Sequence, residues 1–170
     1  EEMFDHVIFA CHSDQSLKIL DKPTQHEKLN LLKIRYKKNI VWLHSDEEFM
    51  PKRKSVWSSW NYMNNNDHKT NSLSVTYWMN NLQNLKTSED IFVSLNPMKE
   101  PKTEKVYKKL IYSHPLFDVN TISGQKGLLD IQGENNTWFC GAYLGNGFHE
   151  DGIKSGLSVA ESLGKKKRPW

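Results

Sequence analysis

The chain has 170 residues, 37% hydrophobic and 11% aromatic, enough apolar material for a folded core, which excludes a disordered polypeptide. Its 23 basic and 20 acidic side chains leave a net charge of +3, concentrated in Lys165, Lys166, Lys167 and Arg168, so a dispersed phosphate-binding face is not expected. No apolar run approaches the ~20 residues of a membrane span. Cys11 and Cys140 lie far apart and outside any CxxC spacing, which argues against a disulfide scaffold and against a zinc centre; no metal site is expected.

In chain order, Phe4 to Cys11 contains the continuous apolar run Val7-Ile8-Phe9-Ala10, which predicts a strand buried on both faces, as in a parallel sheet. No signal peptide precedes it, so a cytoplasmic location is expected, and the abrupt start suggests a fragment whose first strand has neighbours elsewhere. Ser13 is placed to cap a short helix carrying Leu17, Ile19 and Leu20. Pro23 ends it, and Thr24 with Glu27 has the spacing of a capping box for a second helix with Leu29, Leu32 and Ile34 on its buried side. The middle of the chain then changes character. Asn39 to His44, Ser55 to Tyr62, Leu73 to Met79 and Ile91 to Leu95 are rich in β-branched and aromatic residues and predict an antiparallel sheet, with a loop at Asn64-Asn65-Asn66-Asp67. Lys105 to Tyr112 reads equally as helix or strand. In the last third, Val119 to Leu129 has helical spacing despite Gly124 and Gly127, and Thr137 to Ala142 predicts a strand. Gly145-Asn146-Gly147 predicts a tight loop. Glu150 to Leu163 predicts a helix with Ile153, Leu157, Ala160 and Leu163 on one face.

The strand, glycine loop and helix from Trp138 to Gly152 form a candidate ligand floor. Glycines let backbone approach a ligand closely, and a helix start offers unsatisfied N–H groups and a partial positive charge. Gly152 and Gly156, four apart, suit close helix packing. The same construction serves as an unliganded turn in many α/β proteins.

The segment Thr137 to Leu163 resembles the C-terminal FAD-binding signature of the flavin-containing amine oxidase superfamily. The strand end is Cys140-Gly141, the helix opening is Gly147-Phe148-His149-Glu150-Asp151-Gly152, and Ser155-Gly156 follows. Trp57-Ser58-Ser59-Trp60-Asn61-Tyr62, Val75-Thr76-Tyr77-Trp78-Met79-Asn80 and Leu95-Asn96-Pro97 look like a bacterial subgroup described only as predicted NAD/FAD-binding proteins. The resemblance implies the C-terminal portion of an FAD-dependent oxidoreductase of α/β (α+β) class: part of a Rossmann-like FAD domain plus a mainly antiparallel substrate-domain sheet. It divides the chain into 1–20 (FAD domain), 21–118 (substrate domain), 119–164 (C-terminal FAD-binding segment) and 165–170 (basic tail). Gly141, Ala142, Phe148, His149, Asp151 and Gly152 become the implied cofactor contacts.

Two departures stand out. The GxGxxG fingerprint is absent, so the chain alone is expected to bind FAD poorly and to be inactive without a dinucleotide-binding half. Ala142 also stands where many members carry an acidic residue, which leaves only backbone contact there.

Phe148 falls where several members place an aromatic wall facing the flavin. With Tyr77, Trp78 and Trp60 it is a candidate substrate contact, although each of them also reads as core packing. His149 and Glu150 are the candidates for acid/base work, while Glu150 and Asp151 equally suit the helix dipole. Hydride transfer from an organic, apolar substrate to FAD is the expected chemistry. The alternative is a non-catalytic module using an aromatic sheet face and the basic tail. Nucleic acid is not an expected partner. The tail reads as solvated, with peripheral contact to an anionic membrane left open.

Overall fold

The computed structural model of the chain describes residues 2–64 and 73–169. The expected loop at Asn65, Asn66 and Asp67 lies outside them. The chain adopts the mixed α/β class anticipated from its sequence, in two compact units: Glu1–Lys37 with Pro115–Trp170, and Lys38–His114.

In the first unit, strand β1 (Val7–Phe9) pairs in parallel with β7 (Thr137–Phe139), with Phe9 opposite Phe139 and their rings stacked 5.6 Å apart. Phe9 and Phe139 bury one face of this pair against Leu31, Ile34, Leu128, Ile131 and Tyr143. The expectation that the first strand is buried on both faces fails. Val7 and Ile8 are 45% and 48% exposed, because β7 is the only strand beside β1 among the described residues. The regular part of β1 is also shorter than Phe4 to Cys11.

Helix α1 (Ser13–Ile19) starts one residue earlier than a Ser13 cap requires. His12 is the cap position, and the Ser13 hydroxyl donates instead to the Ile34 carbonyl. Helix α2 (Gln25–Lys33) opens with the anticipated capping box: Thr24 Oγ1 accepts from the Glu27 amide at 3.1 Å, and a Glu27 carboxylate oxygen accepts from the Thr24 amide at 2.6 Å. Thr24→Ala is expected to cost about 1 kcal/mol, read as a lowered urea midpoint at unchanged slope.

The buried side of α2 is not the one its leucines suggest. Leu29 and Leu32 are exposed, whereas Glu27, Asn30, Leu31 and Ile34 are buried. The reason lies in α4 (Val119–Asp130). A Cβ on its Gly127 would fall 2.2 Å from Asn30 Oδ1, and one on Gly124 would fall 2.9 Å from the Asn30 carbonyl. The two glycines let a polar residue of α2 seat directly on α4, and that contact fixes which side of α2 turns inward. Asp118 caps α4, accepting from the Thr121 amide and from Arg35, and these bonds hold its carboxyl down at about 2.

In the second unit, β2 (Tyr36–His44), β3 (Trp60–Asn64), β4 (Leu73–Trp78), β5 (Phe92–Leu95) and β6 (Val106–Pro115) form an antiparallel sheet in the order β3-β4-β5-β2-β6. The segment left open between helix and strand is therefore β6. The strand expected from Ser55 begins only at Trp60. The Asn61 side chain turns the preceding chain by bonding both the amide and the carbonyl of Ser58. Met79 leaves β4 to start the short α3 (Met79–Leu82).

The register sorts the side chains by face. Asn61, Thr76 and Ser94 lie in one row with Trp42, flanked by Phe92 and His44, and all six are buried beneath Phe49, Met50 and Trp57. Trp60, Tyr62, Val75, Tyr77, Val93 and Leu95 share the opposite face, which is only partly covered.

Candidate functional site

The floor expected from the glycine pattern lies wholly within the first unit. After β7 the chain turns at Gly141 (φ 150°, ψ 163°), makes a 3-10 turn at Ala142–Leu144, and passes Gly147 (φ 91°) into α5 (His149–Gly164). The regular strand stops at Phe139, three residues before the expected end, because Gly141 takes a backbone conformation that extended neighbours do not share. Gly145 is held to glycine by space: a Cβ there would fall 2.3 Å from Asp151 Oδ1. Gly152 lies in the first turn of α5, where an added Cβ would stand 3.6 Å from the Ala142 nitrogen, an ordinary contact, so space does not demand glycine there. Gly156 faces open space, which corrects the expectation that both helix glycines serve close packing.

Side chains from two helices hold the loop. On α5, Ser155 Oγ accepts from the Gly141 amide at 2.9 Å, with the Gly152 carbonyl 2.9 Å away to receive its proton. On α4, Gln125 Nε2 donates to the carbonyls of Tyr143 and Gly145 at 2.9 and 2.8 Å. Asp151 accepts from the Phe148 amide at 2.9 Å. The amides of His149, Glu150 and Asp151 have no acceptor among the described residues, so the positive end of a 16-residue helix stays open.

A cavity of about 450 Å³ runs along α5 from Asp151 to Ser162, so only its head reaches the helix start. Trp138, Phe139 and Leu144 supply apolar wall, and Gly145, Asp151 and Ser155 supply the polar side. Tyr143 is buried beneath the loop with no partner for its hydroxyl among the described residues, and burial pushes its ionisation far above the usual phenol range. Burial likewise raises the Cys140 thiol, which makes it a poor nucleophile.

Asp151 is the one implied cofactor contact that lines the cavity. Gly141, Ala142, Phe148, His149 and Gly152 follow the loop and helix start but are not part of its wall. Phe148 is 70% exposed, and His149 and Glu150 are also exposed. Neither of the last two has a side-chain hydrogen bond among the described residues.

The substrate candidates are divided between the units. Trp60 and Tyr77 are cross-strand partners on the partly open face of the second unit's sheet. Trp78 is on the other face, where its indole donates to Asp90 and stands 5.3 Å from Trp57. Phe148 belongs to the first unit. The apolar face proposed for α5 is also turned: Ile153 and Ala160 are exposed, and Val159 is the buried residue.

Sequence reading passed over Gln125, Gln132 and Tyr143, and used Ser155 only as part of a motif. A glutamine between two helix glycines carries no periodic signal, and its role depends on a loop 18 residues away. Among the described residues, no group of three or more His, Cys, Asp and Glu side chains is disposed to hold a metal, and no helix is long and apolar enough to cross a membrane.

No family model and no curated protein matches the chain. Among solved structures, one provisionally assigned as a protoporphyrinogen oxidase from Exiguobacterium sp. 255-15 has the same fold, with a TM-score of 0.53 at 11% identity. The match covers 94% of this chain and 41% of that one, so the chain spans well under half of its structural neighbour's length.

Proposed function

We propose that the chain forms the C-terminal part of the FAD site, together with the substrate domain, of an FAD-dependent oxidoreductase of amine oxidase type. The observation that carries this reading is the open start of α5: three amides without acceptors among the described residues, reached by a glycine loop, with Asp151 at the head of a cavity. That donor set suits the electron-rich edge of a flavin or its pyrophosphate chain. The amides of Ala142, His149 and Asp151 would hold the cofactor by hydrogen bonds. Gly141 and Gly152 would meet it by close backbone approach alone, since their amides are taken by Ser155 and the Phe148 carbonyl, and Phe148 would flank it. Bound FAD would accept a hydride from an organic, apolar substrate. The chain's own residues would orient the cofactor. The fold shared with an oxidase of similar architecture supports this reading, and the aromatic face of Trp60, Tyr62 and Tyr77 suits an apolar substrate. His149 and Glu150 remain the candidates for proton transfer.

A dinucleotide-binding half is the proposed partner, and the two edges of the parallel strand pair differ in a way that favours one docking edge. On β7, Gln132 occupies the outer edge: its amide donates to the Phe139 carbonyl at 2.7 Å and accepts from the Phe139 amide at 2.9 Å. On β1, Phe9 turns its carbonyl to Cys140, so strand alternation directs the amide and carbonyl of Ile8 to an edge with no partner among the described residues. A further parallel strand would pair there. The rival reading, a binding module anchored by its basic tail, is weakened by Arg168, which folds back to pair with Glu161 at 2.7 Å.

The test is to produce the chain together with the polypeptide encoded upstream of it, or with a separately expressed dinucleotide-binding half. Yellow flavin absorbance is expected to copurify. A colourless complex that also fails to take up added FAD would overturn the proposal.

A further inference from the structure

We infer that Gln125, with Ser155, is a positioning residue for the loop Gly141–Gly147, setting which polar groups that loop offers to a ligand. The inference rests on the flavin reading for the identity of the ligand, but not for the geometry. A loop of this kind carries as many carbonyls as amides, and a carbonyl aimed at an anionic or electron-rich group cancels the attraction of a neighbouring amide. Gln125 Nε2 carries two protons and spends both on loop carbonyls, those of Tyr143 and Gly145. These two acceptors are thereby turned toward α4.

From the other side, Ser155 takes the Gly141 amide, the one early loop amide that points into the helix. Internal bonds close the middle of the loop: Leu144 donates to the Gly141 carbonyl, and Gly145 and Gly147 donate to that of Ala142. After these commitments, the amides of Ala142, Tyr143 and Asn146 and of the first three α5 residues remain without acceptors, and the carbonyls of Leu144, Asn146 and Gly147 without donors, among the described residues. By withdrawing the Tyr143 and Gly145 carbonyls, the clamp shifts the balance of the loop and helix start toward donors.

Gln125 can act this way because its helix is anchored at both ends of the relevant stretch. Asp118 caps α4, and Gly124 and Gly127 seat α4 on Asn30 of α2. The side chain therefore works from a fixed platform. No other described side chain donates to the carbonyls of Tyr143 or Gly145.

Amide hydrogen exchange on the full chain tests this without any ligand. Gln125→Met keeps the bulk and removes both donors. Exchange at Leu144, Gly145 and Gly147 is expected to speed up about tenfold, the equivalent of roughly 1.4 kcal/mol, while amides of α2 and of β7 hold their wild-type rates. Ser155→Ala should loosen Gly141 selectively, and Gln125→Lys, which keeps donors at similar reach, should recover part of the protection. Unchanged loop exchange in Gln125→Met would overturn the inference, and so would an equal rise throughout the first unit. In the flavin-loaded complete protein, Gln125→Met is expected to weaken FAD about tenfold. Wild-type uptake with unaltered affinity in the variant would remove the positioning role. Failure of the wild type to take up FAD would instead remove the flavin reading, and leave the clamp to be judged by exchange alone.

Discussion

Gly141→Ala is expected to destabilise the first unit by about 3 kcal/mol and to abolish flavin uptake by the complete protein. Two costs add. The observed φ of 150° with ψ of 163° belongs to a region that essentially only glycine occupies, worth about 1–3 kcal/mol for any other residue. A Cβ there would also fall 2.7 Å from Cε1 of Tyr143, whose ring is buried at 3% exposure among Phe9, Phe139 and Leu128. Neither party can yield cheaply. Moving Tyr143 opens a void in the core, and moving Gly141 breaks its bond to Ser155 and shifts the loop carbonyls off Gln125. Gly156→Ala is the control. It lies inside α5 with nothing within 4 Å of the added carbon, so it should be neutral or stabilise by about 0.5–1 kcal/mol. Urea unfolding of the full chain decides. Equal midpoints for the two variants would mean that the turn at Gly141 is not the constraint described here.

The contrast between these two glycines marks the limit of what the sequence could convey. Glycine spacing located the loop and the helix after it, since Gly141, Gly145 and Gly147 each meet a conformational or steric demand. It could not say that Gly152 and Gly156 meet none. The capping box at Thr24 was legible because both partners lie within three residues of each other. The alternation in Leu73 to Met79 gave β4 for a similar reason, since a strand's period shows in its own residues.

What could not be read depended on distant partners. Leu29 and Leu32 carry an ordinary apolar signal, yet the contact that orients α2 is Asn30 against two glycines almost a hundred residues on. The sheet of the second unit inverts the usual pattern in the same way. Ser94, Thr76 and His44 are completely buried, while Trp60 and Tyr62 stand open. Polarity alone would have assigned those faces the other way. The buried polar row is stable because its members satisfy one another across three adjacent strands, which no single segment reveals.

That row makes the second unit acid-sensitive, and His44 is where the sensitivity resides. The Asp46 amide donates to its Nδ1 at 3.0 Å, so Nδ1 is an acceptor and the ring proton is on Nε2, directed at Ser94 Oγ 2.8 Å away. Ser94 in turn meets Thr76 Oγ1 at 2.7 Å. The ring is fully buried, flanked by Phe49 and Phe92. Burial, opposed in part by the Asp46 carboxylate, pulls its pKa down from 6.5 to about 4. Protonation would put a second N–H against the Asp46 amide and a charge among aromatic rings.

The folded protein therefore keeps His44 neutral where an unfolded chain already binds a proton. Stability from this group is complete above pH 6.5, falls as the pH drops below that value, and stops falling near pH 4. The gap corresponds to about 2–3 kcal/mol at 1.4 kcal/mol per pH unit, allowing for some relaxation of the site. His44→Gln offers an amide N–H to Ser94 and a carbonyl to Asp46 without the titration. Its urea midpoint should stay level between pH 6.5 and 4.5, while that of the wild type falls. Parallel slopes in the two proteins would assign the acid loss to other groups and leave the buried row with a purely packing role.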